Sequence, residues 1–158
     1  MPYANWFQRA GALLIDLLAA GAPYVACTMA ANLFVDDFGY STGPSMALVG
    51  IGYALFLAVM IWNRWMTGGR TGQTWGRRLL GIHLVGAGTG EPVGTGLAFA
   101  RDVCHLADSV LCYLGWLWPL WDGRRQTFAD KIVRTVVVAA AVPDDAVPAT
   151  PGRSGQVG

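Results

Sequence analysis

The sequence predicts an all-α membrane protein with two spanning helices, a third short or re-entrant apolar helical segment and a small pair of cytoplasmic strands. The 158-residue chain is 54% hydrophobic and only 13% charged, whereas a soluble domain is about 25% charged. Two apolar runs are long enough to cross a bilayer, and a third is shorter and interrupted. We expect one membrane domain over residues 1–138 and a disordered tail over residues 139–158, whose composition leaves nothing to pack.

The first spanning helix is predicted over residues 10–34. This run contains a single ionisable residue, Asp16, and is longer than the roughly 20 residues needed to cross the hydrocarbon core. Gly21 and Pro23 near its centre allow a kink.

The second spanning helix is predicted over residues 46–62, which are uncharged and lead into an aromatic and basic flank at residues 62–65. Such a flank is typical of a membrane surface. Gly50, Ala54 and Ala58 recur every fourth residue, which either allows close helix contact or reflects ordinary composition.

The distribution of charge predicts a cytoplasmic N-terminus. Asp36 and Asp37 lie in the first loop, which has no basic residue, whereas residues 64–101 contain several arginines. Positive charge near membrane ends favours the cytoplasmic side, so the first two helices should run outward and back.

Two short runs rich in β-branched residues, 82–85 and 134–138, are predicted to be strands. They can pair only if both lie on the same side of the membrane. The apolar segment between them, residues 103–121, contains Gly115 and Pro119 and is barely long enough to span. A single crossing would place the basic residues that follow it outside, so we favour a re-entrant form that returns to the cytoplasmic side.

Charged residues inside these apolar segments are the candidates for function. A carboxylate in mid-membrane costs roughly 3 kcal/mol. Arg9 and Asp16 have the same seven-residue spacing as Arg101 and Asp108, and this places each pair on one helix face but roughly 10 Å apart along the axis. In the re-entrant topology, both aspartates lie at similar depth.

Two interpretations of these four residues remain open. Asp16 and Asp108 could share a proton or cation exchange site, since two nearby carboxylates cannot both ionise cheaply in a low dielectric. Alternatively, Arg9 and Arg101 extend to the lipid headgroups, and each aspartate accepts hydrogen bonds from a neighbouring helix as part of a static polar clamp.

A metal site on one stripe of the third segment, formed by His105, Asp108 and Cys112 with Cys104 nearby, is imaginable. Because no second cluster of His or Cys accompanies it, buried thiols and one hydrogen-bonded histidine explain the same residues. We therefore predict no metal and no cofactor.

Other chemistry is not indicated. The glycine-rich residues 68–72 lack the Lys-Ser/Thr ending of a phosphate loop, and no serine lies in a nucleophile-elbow pattern. We expect no enzyme. The net charge of +1 gives no basic field for a nucleic-acid partner.

The ordered motifs resemble the RDD family of small bacterial membrane proteins, which is named for one arginine and two aspartates. Arg9 and Asp16 match its first two signature positions. Residues 72–82, GQTWGRRLLGI, are similar to its linker motif, and residues 126–137, QTFADKIVRTVV, to its C-terminal motif. The resemblance covers residues 7–138 and implies a multi-pass plasma-membrane protein.

The second signature aspartate is either Asp130, within the C-terminal motif, or Asp108. Asp130 lies outside the apolar core. The resemblance therefore makes Asp130 and Thr135 structural candidates, suited to locking the cytoplasmic strands or pairing with an arginine rather than binding a transported ion.

Two functions are compatible with these features of the sequence. An oligomer could transport a cation or proton through a site containing Asp16 and Asp108. Alternatively, the protein is an accessory or scaffold subunit of a larger membrane complex. The expected partners are the lipid bilayer and either further copies or a membrane complex. Recognition of anionic lipid headgroups by arginines is compatible with both functions, and the residues concerned are Arg9, Arg64, Arg70, Arg77 and Arg78.

Overall fold

The structure is a computed structural model that describes residues 2–35, 39, 41–110 and 113–139. Seven α-helices and two strands are assigned in this part of the chain. In order they are α1 Trp6–Ala31, α2 Gly43–Ile61, α3 Gly68–Thr71, α4 Trp75–Leu79, β1 Ile82–Gly86, α5 Gly94–Val110, α6 Leu114–Leu117, α7 Phe128–Ile132 and β2 Thr135–Ala139. The predicted all-α class with a small strand pair is confirmed.

Both predicted spanning helices are confirmed, and both are longer than predicted. A 3₁₀ turn extends α1 to give an apolar helical run over Trp6–Phe34, and a π-helical segment and α3 extend α2 to give Gly43–Thr71. Each run has 29 residues, about 43 Å of helix, against a hydrocarbon core of about 30 Å. Their polar ends therefore extend beyond the core of a bilayer.

The two spanning helices pack closely at Gly52. A Cβ on this glycine would lie 2.8 Å from the Cβ of Cys27 on α1, so only a glycine allows the observed approach. The small residues singled out from the sequence, Gly50, Ala54 and Ala58, lie on an exposed face of α2 instead. Large apolar side chains are also exposed on both helices, as expected for surfaces in contact with lipid.

The two strands pair antiparallel, with Leu84 opposite Val137, as predicted. The N-terminal segment joins them: Ala4 N donates to Val137 O over 2.9 Å, and Ala139 N donates to Pro2 O over 2.9 Å. Ala139 was assigned to the tail from the sequence but is the last residue of β2. The rest of the predicted tail, residues 140–158, lies outside the described residues.

The third apolar segment is bent. The axis of α5 makes an angle of 108° with the helical run Leu114–Leu120. A single crossing would place β1 and β2 on opposite sides of the membrane, whereas the two strands pair. The pairing thus favours a segment that enters and returns. α5 begins at Gly94, nine residues before the predicted start of the apolar segment. Its first turns contain small and polar residues, which are left out when a segment is defined by a run of apolar residues.

Candidate functional site

Asp130 is fully buried and is the centre of a charge cluster. Its Oδ2 accepts from Arg9 Nη1 over 2.6 Å, and its Oδ1 accepts from Arg101 Nε over 2.7 Å. Thr135 Oγ1 donates to Oδ1 over 3.1 Å. One carboxylate therefore joins α1, α5 and β2, and two guanidiniums around one carboxylate leave a single net positive charge.

Local sequence places Asp130 in this position. Thr127 and Asp130 form the capping box at the start of α7, with each side chain accepting from the other residue's backbone N–H. Burial raises the pKa of Asp130, but the positive charges of Arg101 and Arg9 outweigh burial and hold that pKa well below its ordinary value. The carboxylate is ionised at neutral pH.

Asp16 has a separate, electrically neutral set of partners. It accepts from Asn63 Nδ2 over 2.7 Å, from Thr74 Oγ1 over 2.6 Å and from Gly76 N over 2.8 Å. Trp75 N in turn donates to Asn63 Oδ1 over 3.0 Å. Asp16 thus connects α1 to the π-helical extension of α2 and to the start of α4.

The N-terminus of α4 can reach Asp16 because Gly76 packs directly against α1. A Cβ on Gly76 would lie 2.0 Å from the carbonyl oxygen of Ala12. No other residue type fits there without a shift of one helix. The linker motif therefore supplies both the close contact, through Gly76, and two of the three donors to Asp16.

Asp108 is paired within its own helix. Its Oδ2 lies 2.5 Å from His105 Nδ1, and its Oδ1 accepts from Ala129 N over 3.3 Å. The His105 ring stacks on Trp116, with 4.3 Å between ring centroids. Among the described residues, Asp108 shares no hydrogen-bond partner with Asp16. The structure thus gives the two aspartates separate surroundings and brings Arg9 and Arg101 together at Asp130.

The ion pair between Arg64 and Asp102 was not predicted from the sequence. Arg64 Nε and Nη2 donate to both carboxylate oxygens of Asp102, over 2.7 and 2.5 Å, and Trp65 Nε1 adds a third hydrogen bond over 3.0 Å. Asp102 directly follows Arg101, outside the apolar run considered. The available signal in the sequence was an acidic residue suited to pairing with the basic flank that follows the second spanning helix.

A cavity of about 340 Å³ lies between these clusters. Its polar wall includes one carboxylate, that of Asp16, and four guanidiniums. The apolar part of the lining consists of leucine, tryptophan, proline, alanine, isoleucine and valine side chains. The principal lining residues are Trp6, Arg9, Leu13, Leu14, Asp16, Leu17, Arg64, Arg77, Arg101, His105, Trp116 and Pro119.

Of the four arginines that line the cavity, Arg77 is the one whose positive charge is not paired with a carboxylate in the described part of the chain. Burial, followed by the positive charges of Arg101 and Arg64, lowers the pKa of Arg77 to about 9. Within the described part of the chain, no acceptor is hydrogen-bonded to its guanidinium. In the same part of the chain, no three His, Cys, Asp or Glu side chains are grouped so that they could hold a metal ion, and Cys27 and Cys104 are free thiols.

Comparisons with known proteins found mycobacterial relatives. A proline-rich antigen of Mycobacterium leprae (strain TN) is 32% identical over 149 residues, covering 85% of this chain and 60% of the relative. A proline-rich antigen homolog of Mycobacterium tuberculosis (strain CDC 1551 / Oshkosh) is 32% identical over 154 residues, covering 86% and 63%. The chain thus spans about three fifths of the length of these curated relatives. The search of solved structures found no significant match.

The family comparison agrees with the motifs. The RDD family profile matches residues 3–134, a range that contains Asp16, Asp130, both spanning helices and the bent third segment. The apolar helices and the bacterial relatives together indicate a bacterial membrane protein. The chain belongs to the RDD family.

Proposed function

We propose that this protein is a non-catalytic accessory or scaffold subunit of a larger complex in the bacterial plasma membrane, with its N-terminus and strand pair on the cytoplasmic side. The observation that carries the proposal is that each buried aspartate of the core is hydrogen-bonded to a different segment of the same chain. Carboxylates used in this way hold helices together and are not free to bind a cargo.

The outer surface of α2 supports docking against another membrane protein. Gly50, Ala54 and Ala58 form a stripe of small residues on an exposed face, and no atom of the described residues lies within 4 Å of a Cβ built on Gly50. Small residues of this kind allow the backbone of a second helix to approach closely in a membrane. The partner is either a different membrane protein or another copy of this chain, and the accessory role requires the former.

Purification in mild detergent tests the accessory role. A different protein should copurify in a fixed stoichiometric ratio, and Ala54→Trp should abolish its recovery because the bulky ring blocks close approach. Leu55→Trp, on an adjacent exposed face of the same helix, is the matched control and should retain the partner. Recovery of a pure monomer or homo-oligomer would contradict the accessory role.

Transport of a proton or cation, by an oligomer, is the second candidate. It is favoured by the position of Asp16 and His105 on the wall of one cavity and by the contact between His105 and Asp108. Four arginines on the same wall oppose entry of a cation, which is why transport ranks second. If transport occurs, Asp16→Asn should abolish ion flux in proteoliposomes. Unchanged flux in a folded variant would contradict transport through a site that contains Asp16.

Arginines at the surface fit a supporting contact with anionic lipid headgroups. Arg70 and Arg78 are exposed next to the membrane helices, where each basic residue contributes about 1 kcal/mol of attraction to an anionic leaflet. This contact is compatible with both candidate functions and with a cytoplasmic location of the linker.

A further inference from the structure

The cavity has donors that the protein leaves unused. Nε and Nη2 of Arg9 are buried and have no hydrogen-bond partner in the described part of the chain, although Nη1 of the same guanidinium is bound to Asp130. A buried charged donor without an acceptor is costly, and such groups call for an explanation. An acceptor bound in the cavity would supply it.

Arg77 lines the same cavity and provides a second set of donors. Its guanidinium lies among Arg64 and Arg101, and these two are already bound to Asp102 and Asp130. Asp16, also on the wall, accepts from three other donors. The protein's own carboxylates are thus engaged elsewhere, and the ligand that fits Arg9 and Arg77 is an anion with several oxygen acceptors, such as a phosphate.

The rest of the cavity wall indicates where the anion comes from. Leu14 and Leu17 line the cavity and are also 57% and 40% exposed on the surface of α1. Because α1 is a membrane-spanning helix, this surface faces acyl chains. Apolar side chains therefore connect the arginines of the cavity with the bilayer. An anion that is attached to acyl chains requires such a connection in order to bind.

We propose that this cavity binds the phosphate headgroup of an anionic phospholipid taken from the surrounding leaflet, with Arg9 and Arg77 as headgroup ligands and Leu14 and Leu17 along the acyl chains. The site is internal and distinct from the surface contact of Arg70 and Arg78. It does not depend on the accessory role, since a lipid can bind whether or not a partner protein is present.

The test uses the full chain reconstituted in phosphatidylglycerol nanodiscs, with native mass spectrometry after release into detergent. The wild-type protein should retain one phosphatidylglycerol. Arg77→Gln should lower the retained fraction about tenfold or more, because hydrogen bonds to a charged group are lost. Arg78→Gln removes the same charge from the next, exposed position, and should retain lipid like the wild type. Equal retention in the two variants would overturn the proposal.

Two further measurements distinguish a phospholipid from free phosphate and control for misfolding of the arginine variant. Ala10→Leu keeps every charge but fills part of the cavity that Ala10 lines, and it should also reduce retention; full retention would overturn the cavity as the site. Excess inorganic phosphate should leave the lipid bound. Release of the lipid by free phosphate would overturn the assignment to a phospholipid, as would equal retention of phosphatidylcholine.

Discussion

Arg9 Nη1 and Asp130 Oδ2 lie 2.6 Å apart although the two residues are 121 positions apart in the chain. This contact ties the start of the first spanning helix to the C-terminal motif. Because Arg101 binds the other oxygen of the same carboxylate, this carboxylate also holds α5, the first part of the bent apolar segment. One buried carboxylate thus joins the first spanning helix, the bent apolar segment and the C-terminal motif.

Neutralising that carboxylate should destabilise the fold. Asp130→Asn leaves Arg9 and Arg101 buried side by side without a counter-charge, and breaking a buried ion pair typically costs about 3–5 kcal/mol. Unfolding in mixed micelles measures the loss. Asp122→Asn is the control, because its partner Lys131 is 42% exposed and an exposed pair contributes about 1 kcal/mol or less. Equal losses in the two variants would contradict a central role for Asp130.

The same cluster predicts how stability depends on pH. The folded pKa of Asp130 lies below its ordinary value, which is about 3.9 in the unfolded chain, so the unfolded state binds more protons between the two values. The contribution of Asp130 is therefore fully present above about pH 5 and is lost as the pH falls through 4 toward the folded pKa. Unfolding measured at several pH values should show a steeper acid loss in the wild type than in Asp130→Asn, and parallel curves would count against this.

The hydrogen bonds to Asp16 should be needed for its burial. Asp16→Asn places an amide N–H₂ among three donors, so at least one donor loses its acceptor, at a cost of about 1–3 kcal/mol. Thr28→Val, on the same helix, removes only a hydroxyl that donates to backbone carbonyls of its own helix and should cost much less. The two are compared by thermal unfolding in detergent, and a neutral Asp16→Asn would show that the three donors find other acceptors.

Hydropathy and charge predicted the apolar helices, and β-branched runs predicted the strand pair, because each is a local property of the chain. The partners of the buried charges were not predictable in the same way. Arg9 and Asp16 share a helix face, yet Arg9 binds Asp130 and Asp16 binds Asn63. The turn at residues 72–74 directs the N-terminus of α4 onto α1, which brings Thr74 and Gly76 to Asp16, and no periodic pattern in the sequence indicates that turn.

Gly76 should tolerate no larger residue. In Gly76→Ala the new Cβ would meet the carbonyl oxygen of Ala12 at 2.0 Å, so α4 must move away from α1 and the hydrogen bond from Gly76 N to Asp16 should weaken. Gly21→Ala is the matched control, since within the part of the chain that the structure describes nothing lies within 4 Å of its Cβ position. Helix propensity should then stabilise the control by about 0.5–1 kcal/mol. Unfolding measurements should give opposite signs for the two variants, and a neutral Gly76→Ala would show that α4 is free to shift.

The re-entrant topology requires that the segments before and after α5 share one side of the membrane. Ala87 follows β1 and Arg124 follows the bent segment, and both are exposed. With the three native cysteines replaced, Ala87→Cys and Arg124→Cys should react with a membrane-impermeant maleimide from the same side of sealed vesicles. Ser41→Cys, an exposed position in the loop between the first two spans, should react only from the other side. If Arg124→Cys is labelled from the same side as Ser41→Cys, the third segment crosses the membrane. A crossing would place β1 and β2 on opposite sides, which is incompatible with their observed pairing.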